Sequence, residues 1–321
     1  MRVITVGTSN ITREMIKAFK LAGVTVHACV SRALDRARDF AYTNGVKFYL
    51  SDYEKALTSV NFDTVYIAVP NSLHYEYAKK ALDAGKNVIV EKPFCTNLEQ
   101  ANELFEMAKE NNLFIFENMT TVHNPIMKTL KADLAMIGPV RYIEMNFYKR
   151  SRKYDDFIKG NNPPIFDPKM AGGALMDMNV YNIAFVLELF GMPNSISYHP
   201  NINKDIDVSG CAILHYEGFT TSLNAGKDAW SRSFACISGE KGHIYINDVP
   251  SRFNMYDIFP DGQNSIRRKV GIDDYLALNV RDFDYIMSTG DYNKYNEFVR
   301  DTLAEMKVLD SLRRSGKIKF D

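Results

Sequence analysis

One lysine stands where a reacting group would be useful. Lys92 lies in Glu91-Lys92-Pro93, directly after the apolar run Val88-Ile89-Val90, which places it at the end of a predicted strand. A lysine ammonium there can polarise a substrate oxygen and lower the pKa of a neighbouring acid. Pro93 fixes the turn, and X-Pro is where cis peptide bonds occur. The spacing fits equally a lysine that extends from a strand end into solvent.

An aspartate and a tyrosine form a second candidate pair. Asp177 and Tyr181 are four residues apart on a predicted helix that opens at Gly172-Gly173, so they share one helical face. Such a pair is usually a hydrogen-bonded pair at the surface. It gains a chemical role only if that face meets Lys92, since a nearby cation lowers the pKa of a phenol from ~10.

Composition excludes several classes of function. The 321 residues predict two domains. Lys plus Arg and Asp plus Glu both number 39, so the net charge is zero and a basic nucleic-acid surface is excluded. No histidine stands at metal-ligand spacing from another, so we expect no metal site. The four cysteines form no C-x-x-C pair, which predicts reduced thiols.

The sequence also predicts the cellular location. The N-terminus starts as a strand, without the features of a secretory leader. No stretch approaches the ~20 apolar residues of a membrane span. We therefore expect a soluble, cytoplasmic protein that does not contact a membrane.

The first third of the chain alternates strands with helices. Apolar runs predict six strands, at 3–6, 24–30, 46–49, 64–69, 87–90 and 113–116, with helical periodicity between them. This order predicts a doubly wound parallel sheet, an α/β Rossmann domain over 1–118. Ligands of such sheets bind at the carboxyl ends of the strands. The loops that begin at Gly7, Ser31, Pro70 and Glu91 are therefore the candidate binding loops.

The remainder, 119–321, has a different character. Strand-like runs dominate it, a long helix at 174–190 interrupts them, and helices at 275–287 and 292–313 end the chain. We predict a C-terminal α+β domain with a large, open, mostly antiparallel sheet. Its few helices leave a sheet face to be covered, which suggests a homodimer or a higher homo-oligomer that pairs two sheets.

The first loop resembles a degenerate phosphate-binding loop. Of a G-x-G-x-x-G fingerprint only Gly7 remains, with Ser9 as the next smallest residue. A single glycine between a strand and a helix is also common in turns that bind no ligand. The position after the first of six strands favours a dinucleotide site, which would comprise Gly7, Thr8, Ser9, Asn10 and Ile11.

The end of the second strand bears on the choice of cofactor. An acidic residue there binds the ribose of NAD, whereas an arginine accommodates the 2′-phosphate of NADP. Here the strand is followed by Ser31 and Arg32, which can donate to a phosphate. NADP is therefore preferred over NAD, although a solvated arginine at a helix start is common.

The loop after the fourth strand is the candidate for the nicotinamide half of the cofactor. Pro70, Asn71 and His74 are its candidate contacts. A lone histidine in the first turn of a helix, such as His74, is more often a capping or packing residue than an acid or base.

Three segments together resemble one enzyme family. VYIAVPNSLHYEYAKKALDAGKNVIVEKP, at the centre of 63–117, is similar to the Gfo/Idh/MocA family of glucose–fructose oxidoreductase and inositol dehydrogenase type enzymes. GGALMDMNVYN, at 172–182, resembles its second signature, and 234–246 with SGEKG resembles its β-domain pattern. The resemblance covers nearly the whole chain and implies a Rossmann domain followed by an open-sheet domain that commonly pairs subunits.

The resemblance also implies site residues. Lys92 would be the catalytic lysine, with Glu91 and Lys92 also beside the cofactor, and Asp177 the substrate-binding or catalytic aspartate. Tyr181 stands where many members have histidine, and Asn179 replaces a frequent glycine. Candidate substrate contacts are His123, Asn124, Tyr148, Lys149, Arg150 and Trp230.

The implied reaction is hydride transfer between nicotinamide and a carbinol or carbonyl carbon of a sugar, a polyol or a related small hydroxyl compound. Lys92 would stabilise negative charge on the substrate oxygen, and Tyr181 would exchange the hydroxyl proton. Asp177 would hold substrate hydroxyls or orient Lys92. Two alternatives remain, a reductase of a dihydrodiol or tetrapyrrole and a non-catalytic dinucleotide-binding regulator.

Overall fold

The computed structural model describes residues 1–58 and 61–320. Ser59, Val60 and Asp321, which fall within the predicted domain ranges, lie outside the described residues. The chain divides into two compact units. The first comprises Met1–Asn118 with Asp274–Leu303, and the second comprises Met119–Asp273 with Ala304–Asp321.

A six-stranded parallel sheet forms the centre of the first unit. In sheet order its strands are β3 (Phe48–Leu50), β2 (Thr25–Val30), β1 (Arg2–Val6), β4 (Thr64–Ile67), β5 (Asn87–Glu91) and β6 (Ile115–Asn118). The chain builds outward from β1 to β3 and then returns to add β4 on the other side of β1. This confirms the predicted doubly wound sheet. Its strand order reverses between β1 and β4, which is where such folds bind ligands.

The helices of the first unit cover this sheet with apolar stripes. They are α1 (Asn10–Leu21), α2 (Leu34–Thr43), α3 (Tyr53–Leu57), α4 (His74–Asp83) and α5 (Leu98–Glu110). On α1, for example, Met15, Ile16 and Phe19 are fully buried. Their spacing of three and four residues is that of one helical face.

A helix from late in the sequence belongs to the same unit. In α9 (Tyr275–Thr289) the side chains of Val280, Phe283 and Ile286 are fully buried in the core of the first unit. The ring of Phe283 stacks on that of Phe116 with 4.6 Å between centroids. The predicted assignment of 275–287 to the second domain was therefore wrong. The sequence predicts a helix at 275–287 but does not show which surface that helix covers.

The second unit is built on an eight-stranded sheet. In sheet order its strands are β14 (Ile266–Lys269), β13 (Met255–Pro260), β12 (Gly242–Ile246), β11 (Phe234–Gly239), β7 (Val140–Tyr148), β10 (Phe219–Gly226), β9 (Ile206–Tyr216) and β8 (Ser195–Asn203). Only β7 and β10 pair in parallel, so the predicted, mostly antiparallel sheet is confirmed. The short, basic β14 was not predicted, because three of its four residues are charged.

The helices of the second unit include α6 (Ile126–Asp133), α7 (Tyr154–Ile158) and α8 (Val180–Phe190). Another helix, α10 (Tyr292–Ser315), continues from the first unit into the second.

The long helix predicted at 174–190 is interrupted. It begins as a π-helical turn, Leu175–Asn179, and continues as α8. π-Helical turns within helices occur frequently at functional sites.

Within the described residues, the helical stretch Pro168–Phe190 is long and apolar enough to cross a membrane by length and composition alone. The prediction that no stretch approaches such a length was wrong by this criterion. In its most apolar window 78% of the residues are buried. Buried core helices of soluble proteins meet the same criterion, so this one helix is weak evidence for a membrane span.

Candidate active site

The loop after β1 is shaped by a glycine and a serine. Gly7 has φ +109°, and a Cβ there would overlap the carbonyl oxygen of Ala68. Ser9 caps α1, since its Oγ accepts from the N–H of Thr12 at 3.4 Å and lies 3.0 Å from Thr12 Oγ1. The single glycine therefore permits the close approach of β4. The predicted residues Ser9, Asn10 and Ile11 are exposed at the N-terminus of a 12-residue helix, where amide N–H groups attract phosphate.

Two further arginines lie beside this loop. An open groove of about 540 Å³ is lined by Thr8, Arg13, Arg36, Asp39, Phe40 and Thr43. The guanidinium of Arg13 lies 6.0 Å from the centroid of the Phe40 ring. Arg13 and Arg36 were not among the residues predicted from the sequence. Their positions in the first turns of α1 and α2, which follow the two candidate cofactor loops, were the available signal.

Ser31 and Arg32 stand at the carboxyl end of β2, as predicted. The N–H of Ser31 donates to the carbonyl of Leu50 at 3.1 Å, which fixes this end of the strand. Ser31 is half-buried and Arg32 is exposed. Hydroxyl and guanidinium donors at the end of this strand match the chemistry of a phosphorylated dinucleotide such as NADP.

A buried histidine, His74, contacts the turn that carries Lys92. The Lys92–Pro93 peptide bond is cis, and Lys92 is half-buried. His74 is 0% exposed, and its Nδ1 and Nε2 lie 2.9 Å from the carbonyl oxygens of Pro93 and Val69 respectively. Burial lowers the pKa of His74, and the charge of Lys92 contributes in the same direction.

This geometry corrects the predicted role of His74. Its ring does not reach the surface, so the side chain is not a cofactor contact. It instead joins the loop after β4 to the turn after β5. Pro70 and Asn71, in the first of these loops, are half-buried and remain candidate contacts.

Glu91 is likewise buried beneath the Lys92 turn. Its Oε1 accepts from Tyr66 Oη at 2.6 Å and from Asn118 Nδ2 at 2.7 Å. Burial raises the pKa of Glu91, although these two hydrogen bonds oppose the shift. The side chain of Glu91 therefore supports the turn and, contrary to prediction, is not a cofactor contact.

A second buried carboxylate supports the turn from β6. Glu117 Oε1 accepts from the N–H of Phe94 at 2.9 Å. The roles of Tyr66, Glu117 and Asn118 were not predicted from the sequence. Polar residues within or at the end of otherwise apolar strands were the signal that could have found them.

In the second unit, the predicted pair Asp177 and Tyr181 forms the accessible part of a buried segment. Asp177 lies in the π-helical turn, and Tyr181 lies in the first turn of α8. Between residues 171 and 186 every residue except these two is buried, and both are half-buried. The ring of Tyr181 lies 5.9 Å from that of Phe147 between centroids. The prediction that they share one face agrees with this pattern of exposure.

Asparagines tie this segment to the sheet. Asn179 Nδ2 donates to the carbonyl of Leu223 at 3.0 Å, and Asn182 Nδ2 donates to Asn179 Oδ1 at 2.9 Å. Asn179, which departs from the family's frequent glycine, thus anchors the π-helical turn to β10. Its role was not visible in the sequence because its partner lies 44 residues away.

The double glycine before this segment makes room for a buried carboxylate. Gly173 has φ +102°, and a Cβ there would overlap Asp207 Oδ1. Asp207 Oδ2 accepts from the N–H of Leu175 at 2.7 Å and from Tyr198 Oη at 2.8 Å. Burial raises the pKa of Asp207 to about 6, against the opposing effects of these two donors. Asp207 therefore fixes the first residue of the π-helical turn.

A buried lysine pairs with Asp177. Lys227 Nζ lies 2.7 Å from Asp177 Oδ2 and donates to the carbonyl of Ile165 at 2.9 Å. It also lies 4.9 Å from the centroid of the Phe166 ring. Lys227, directly after β10, was missed, because no motif relates it to a residue 50 positions earlier in the sequence.

The predicted substrate contacts occupy several different environments. Asn124 is buried, and its Nδ2 donates to the carbonyl of Phe253 at 2.8 Å. Its amide therefore stabilises the core, contrary to its predicted role. His123 is also buried, whereas Trp230 is 74% exposed. Tyr148 is half-buried and packs on Gly226, where a Cβ would overlap its ring.

The two basic residues after Tyr148 also differ. Arg150 pairs with Asp155 at 2.6 Å, and Lys149 is exposed. Among residues 1–58 and 61–320, no three His, Cys, Asp or Glu side chains are grouped so as to hold a metal ion.

Family models match both parts of the chain. Residues 1–119 match the oxidoreductase family with an NAD-binding Rossmann fold, and residues 132–245 match the GFO/IDH/MocA C-terminal domain. The scyllo-inositol 2-dehydrogenase (NADP(+)) of Bacillus subtilis is 35% identical over 78% of this chain and 76% of that protein. A trans-1,2-dihydrobenzene-1,2-diol dehydrogenase of Xenopus tropicalis is 28% identical over 69% of this chain and 66% of that protein.

A sugar reductase is similar over nearly the whole chain. The dTDP-3,4-didehydro-2,6-dideoxy-alpha-D-glucose 3-reductase of Actinomadura kijaniata is 27% identical over 99% of this chain and 96% of that protein. A crystal structure of a 3-ketoreductase from the same organism, with NADP and TDP-benzene, superposes with a TM-score of 0.89 at 26% identity, over 98% of this chain and 97% of that one. With both domains matched in order, the chain belongs to the Gfo/Idh/MocA family of NAD(P)-dependent oxidoreductases.

Proposed function

We propose that this protein transfers a hydride between NADP(H) and the carbinol or carbonyl carbon of a sugar, a cyclitol or a related polyol. The observation that carries the proposal is the exposure pattern at 171–186, where only Asp177 and Tyr181 escape burial. A carboxylate and a phenol are thus the two side chains of this segment that remain accessible to a ligand. Relatives that act on scyllo-inositol and on a dTDP-ketosugar support the substrate class.

The bound dinucleotide would supply or accept the hydride at its nicotinamide ring. Lys92 would stabilise negative charge on the substrate oxygen. Tyr181 would give or take the hydroxyl proton, and Asp177 would accept hydrogen bonds from substrate hydroxyls. His74, Glu91 and Glu117, which support the Lys92 turn, would hold that lysine in place.

NADP is the proposed cofactor because the donors fit its extra phosphate. Ser31 and Arg32 stand at the end of β2, and the neighbouring groove adds Arg13 and Arg36. Four donors of this kind, without a carboxylate at the end of β2, favour a 2′-phosphate over a free ribose hydroxyl. The relative named for NADP(+) and the similar structure solved with NADP support the same choice.

The decisive experiment is a panel of sugars, cyclitols and polyols with NADP⁺ and NAD⁺, read by absorbance of the reduced cofactor. With a substrate in hand, Lys92→Met is expected to lower kcat at least ~100-fold, because a group that acts on the reacting oxygen is worth about that factor. NADPH binding should change less than about threefold.

Lys86→Met is a matched control. Lys86 lies in the same unit, and its Nζ donates to the carbonyl of Phe62 at 3.2 Å. Its replacement should leave kcat unchanged. Turnover that survives Lys92→Met contradicts the proposed mechanism.

A second candidate is a dihydrodiol dehydrogenase, which would reduce the corresponding ketone in the reverse direction, and the similarity to the Xenopus tropicalis enzyme favours it. Reduction of NADP⁺ by a trans-dihydrodiol, with no response to any sugar or cyclitol, would establish it in place of the first. Binding of NADPH without turnover on either panel would instead favour a dinucleotide-binding regulator.

We also propose a cytoplasmic location and a homodimer or higher homo-oligomer. The oligomer is supported by apolar side chains on the eight-stranded sheet, where Tyr142 is 41% and Phe259 is 38% exposed. Light scattering of the purified protein tests the oligomer, and a monomer at micromolar concentration contradicts it.

A further inference from the structure

The partner of Asp177 is a buried cation whose position is tightly fixed. The N–H of Lys227 donates to the carbonyl of Val208 at 2.8 Å, and its carbonyl accepts from the N–H of Ser151 at 2.8 Å. Its side chain is 2% exposed, whereas that of Asp177 is 35% exposed. The backbone thus anchors one end of the lysine, and the Asp177 carboxylate and the Ile165 carbonyl hold the ammonium at the other.

Packing alone does not account for a charge at this position. Removing an ammonium from water is unfavourable, and replacing a buried ion pair by apolar side chains of similar volume is often neutral or stabilising. A methionine would fill the space beside Phe166 without that cost. The charge of Lys227 acts instead on carboxylates: it pairs with Asp177, and it opposes the raised pKa of the buried Asp207.

Another lysine in the same unit shows what is particular to Lys227. Lys204 Nζ donates to the carbonyl of Phe157 at 2.6 Å and lies 4.9 Å from the centroid of the Phe157 ring. Lys227 makes the same two kinds of contact with Ile165 and Phe166. What distinguishes it is burial and the ion pair with Asp177.

We propose that Lys227 is a positioning residue, which balances the charge of the Asp177 carboxylate and holds it in one orientation for substrate hydroxyls. This inference rests on the proposed function, in which Asp177 binds substrate. An anchored carboxylate accepts hydrogen bonds from a substrate without first losing side-chain freedom, so the pair would contribute to substrate binding.

A double-mutant cycle tests this role. Lys227→Met, Asp177→Asn and the double variant are compared in kcat/KM for the substrate found in the panel, and in NADPH affinity by calorimetry. We expect Lys227→Met to lower kcat/KM by about 10–100-fold, mainly by raising KM for that substrate. In the Asp177→Asn background it should change kcat/KM less than about twofold, because the group that it positions is already altered.

The controls separate positioning from folding. NADPH affinity should be unchanged in all variants, and Lys204→Met should have wild-type kcat/KM. Thermal unfolding establishes that each variant is folded. If Lys227→Met does not fold, Lys227→Gln provides an uncharged side chain that still carries an N–H donor, and the same cycle applies.

Different results would overturn the role of Lys227 and the proposed function. An equal loss of kcat/KM in both backgrounds, or wild-type kcat/KM in Lys227→Met, overturns the role of Lys227 and leaves the proposed function intact. If the wild-type protein binds NADPH but turns over no sugar, cyclitol or polyol, the proposed function fails and the inference falls with it.

Discussion

Single residues in the first unit decide which dinucleotide is favoured. Arg32 is exposed at the end of β2, so its guanidinium can form charge-assisted hydrogen bonds with a phosphate without first breaking a buried contact. Arg13 and Arg36 add positive charge along the adjoining groove. Preference for NADP should therefore depend on a few side chains and be separable from binding of the rest of the cofactor.

Arg32→Ala is expected to weaken NADPH binding by about 10–100-fold, since a hydrogen bond to a charged group contributes ~1.5–3 kcal/mol. NADH binding should change little, because NADH lacks the 2′-phosphate. Calorimetry with both cofactors measures the difference.

Arg300→Ala provides the control, since Arg300 is an exposed arginine of α10 in the first unit. It should leave both affinities unchanged. Equal weakening of NADPH and NADH by Arg32→Ala contradicts the assignment of the 2′-phosphate to this residue.

Residues that a motif contains could be predicted from the sequence, whereas residues defined by distant partners could not. Lys92, Asp177 and Tyr181 belong to short signatures that resemble those of a family. Lys227 acquires its place only when β10 brings it to Asp177, 50 positions earlier in the sequence. His74 was predicted at the right place, but its burial, which excludes a cofactor contact, became visible only in the fold.

At the scale of elements, the π-helical turn depends on what lies beneath it. The N–H of Leu175 donates to Asp207, and Asn179 donates to β10, so both ends of the turn are bound to the sheet. Gly173 permits this arrangement because a Cβ would overlap Asp207. The sequence predicted a helix here and could not predict the π-helical turn, since that turn follows from these tertiary contacts.

Gly173→Ala is expected to destabilise the second unit by more than ~3 kcal/mol, because it combines a positive φ with overlap of a buried carboxylate. Gly160→Ala is the matched control, with φ +97° and no atom within 4 Å of the added Cβ. It should cost only ~1–2 kcal/mol.

Urea unfolding of both variants measures these costs. Similar losses at the two glycines would show that backbone strain alone determines the result and that contact with Asp207 does not matter.

At the scale of the whole molecule, the first unit is discontinuous in sequence. Its sheet is completed by Asn118, but α9 returns from beyond Asp273 to bury Phe116. Asn279 Nδ2 adds a hydrogen bond of 2.7 Å to Asn118 Oδ1. Periodicity predicted both the sheet and the helix. Their association was not predicted, because a prediction made along the chain assigns each segment to its neighbours.

Phe283→Ala is expected to destabilise the first unit by ~3–5 kcal/mol, as removal of a fully buried phenyl ring usually does. The loss should be visible as faster amide exchange in peptides that span β6 of the intact protein. Tyr285, 50% exposed on the same helix, is the control, and Tyr285→Ala should cost less than ~1 kcal/mol. Unchanged exchange in β6 after Phe283→Ala would contradict the assignment of α9 to this unit.

The discontinuity also bears on how the protein is synthesised. The ribosome finishes β6 long before it reaches α9, since the whole of Met119–Asp273 is translated in between. At ~5–20 residues per second this interval lasts on the order of ten seconds or more. Throughout it the sheet that carries the cofactor loops lacks the helix that covers Phe116. The nascent chain therefore exposes an aromatic surface that a chaperone can bind, and the first unit completes its core only after Met119–Asp273 has been synthesised.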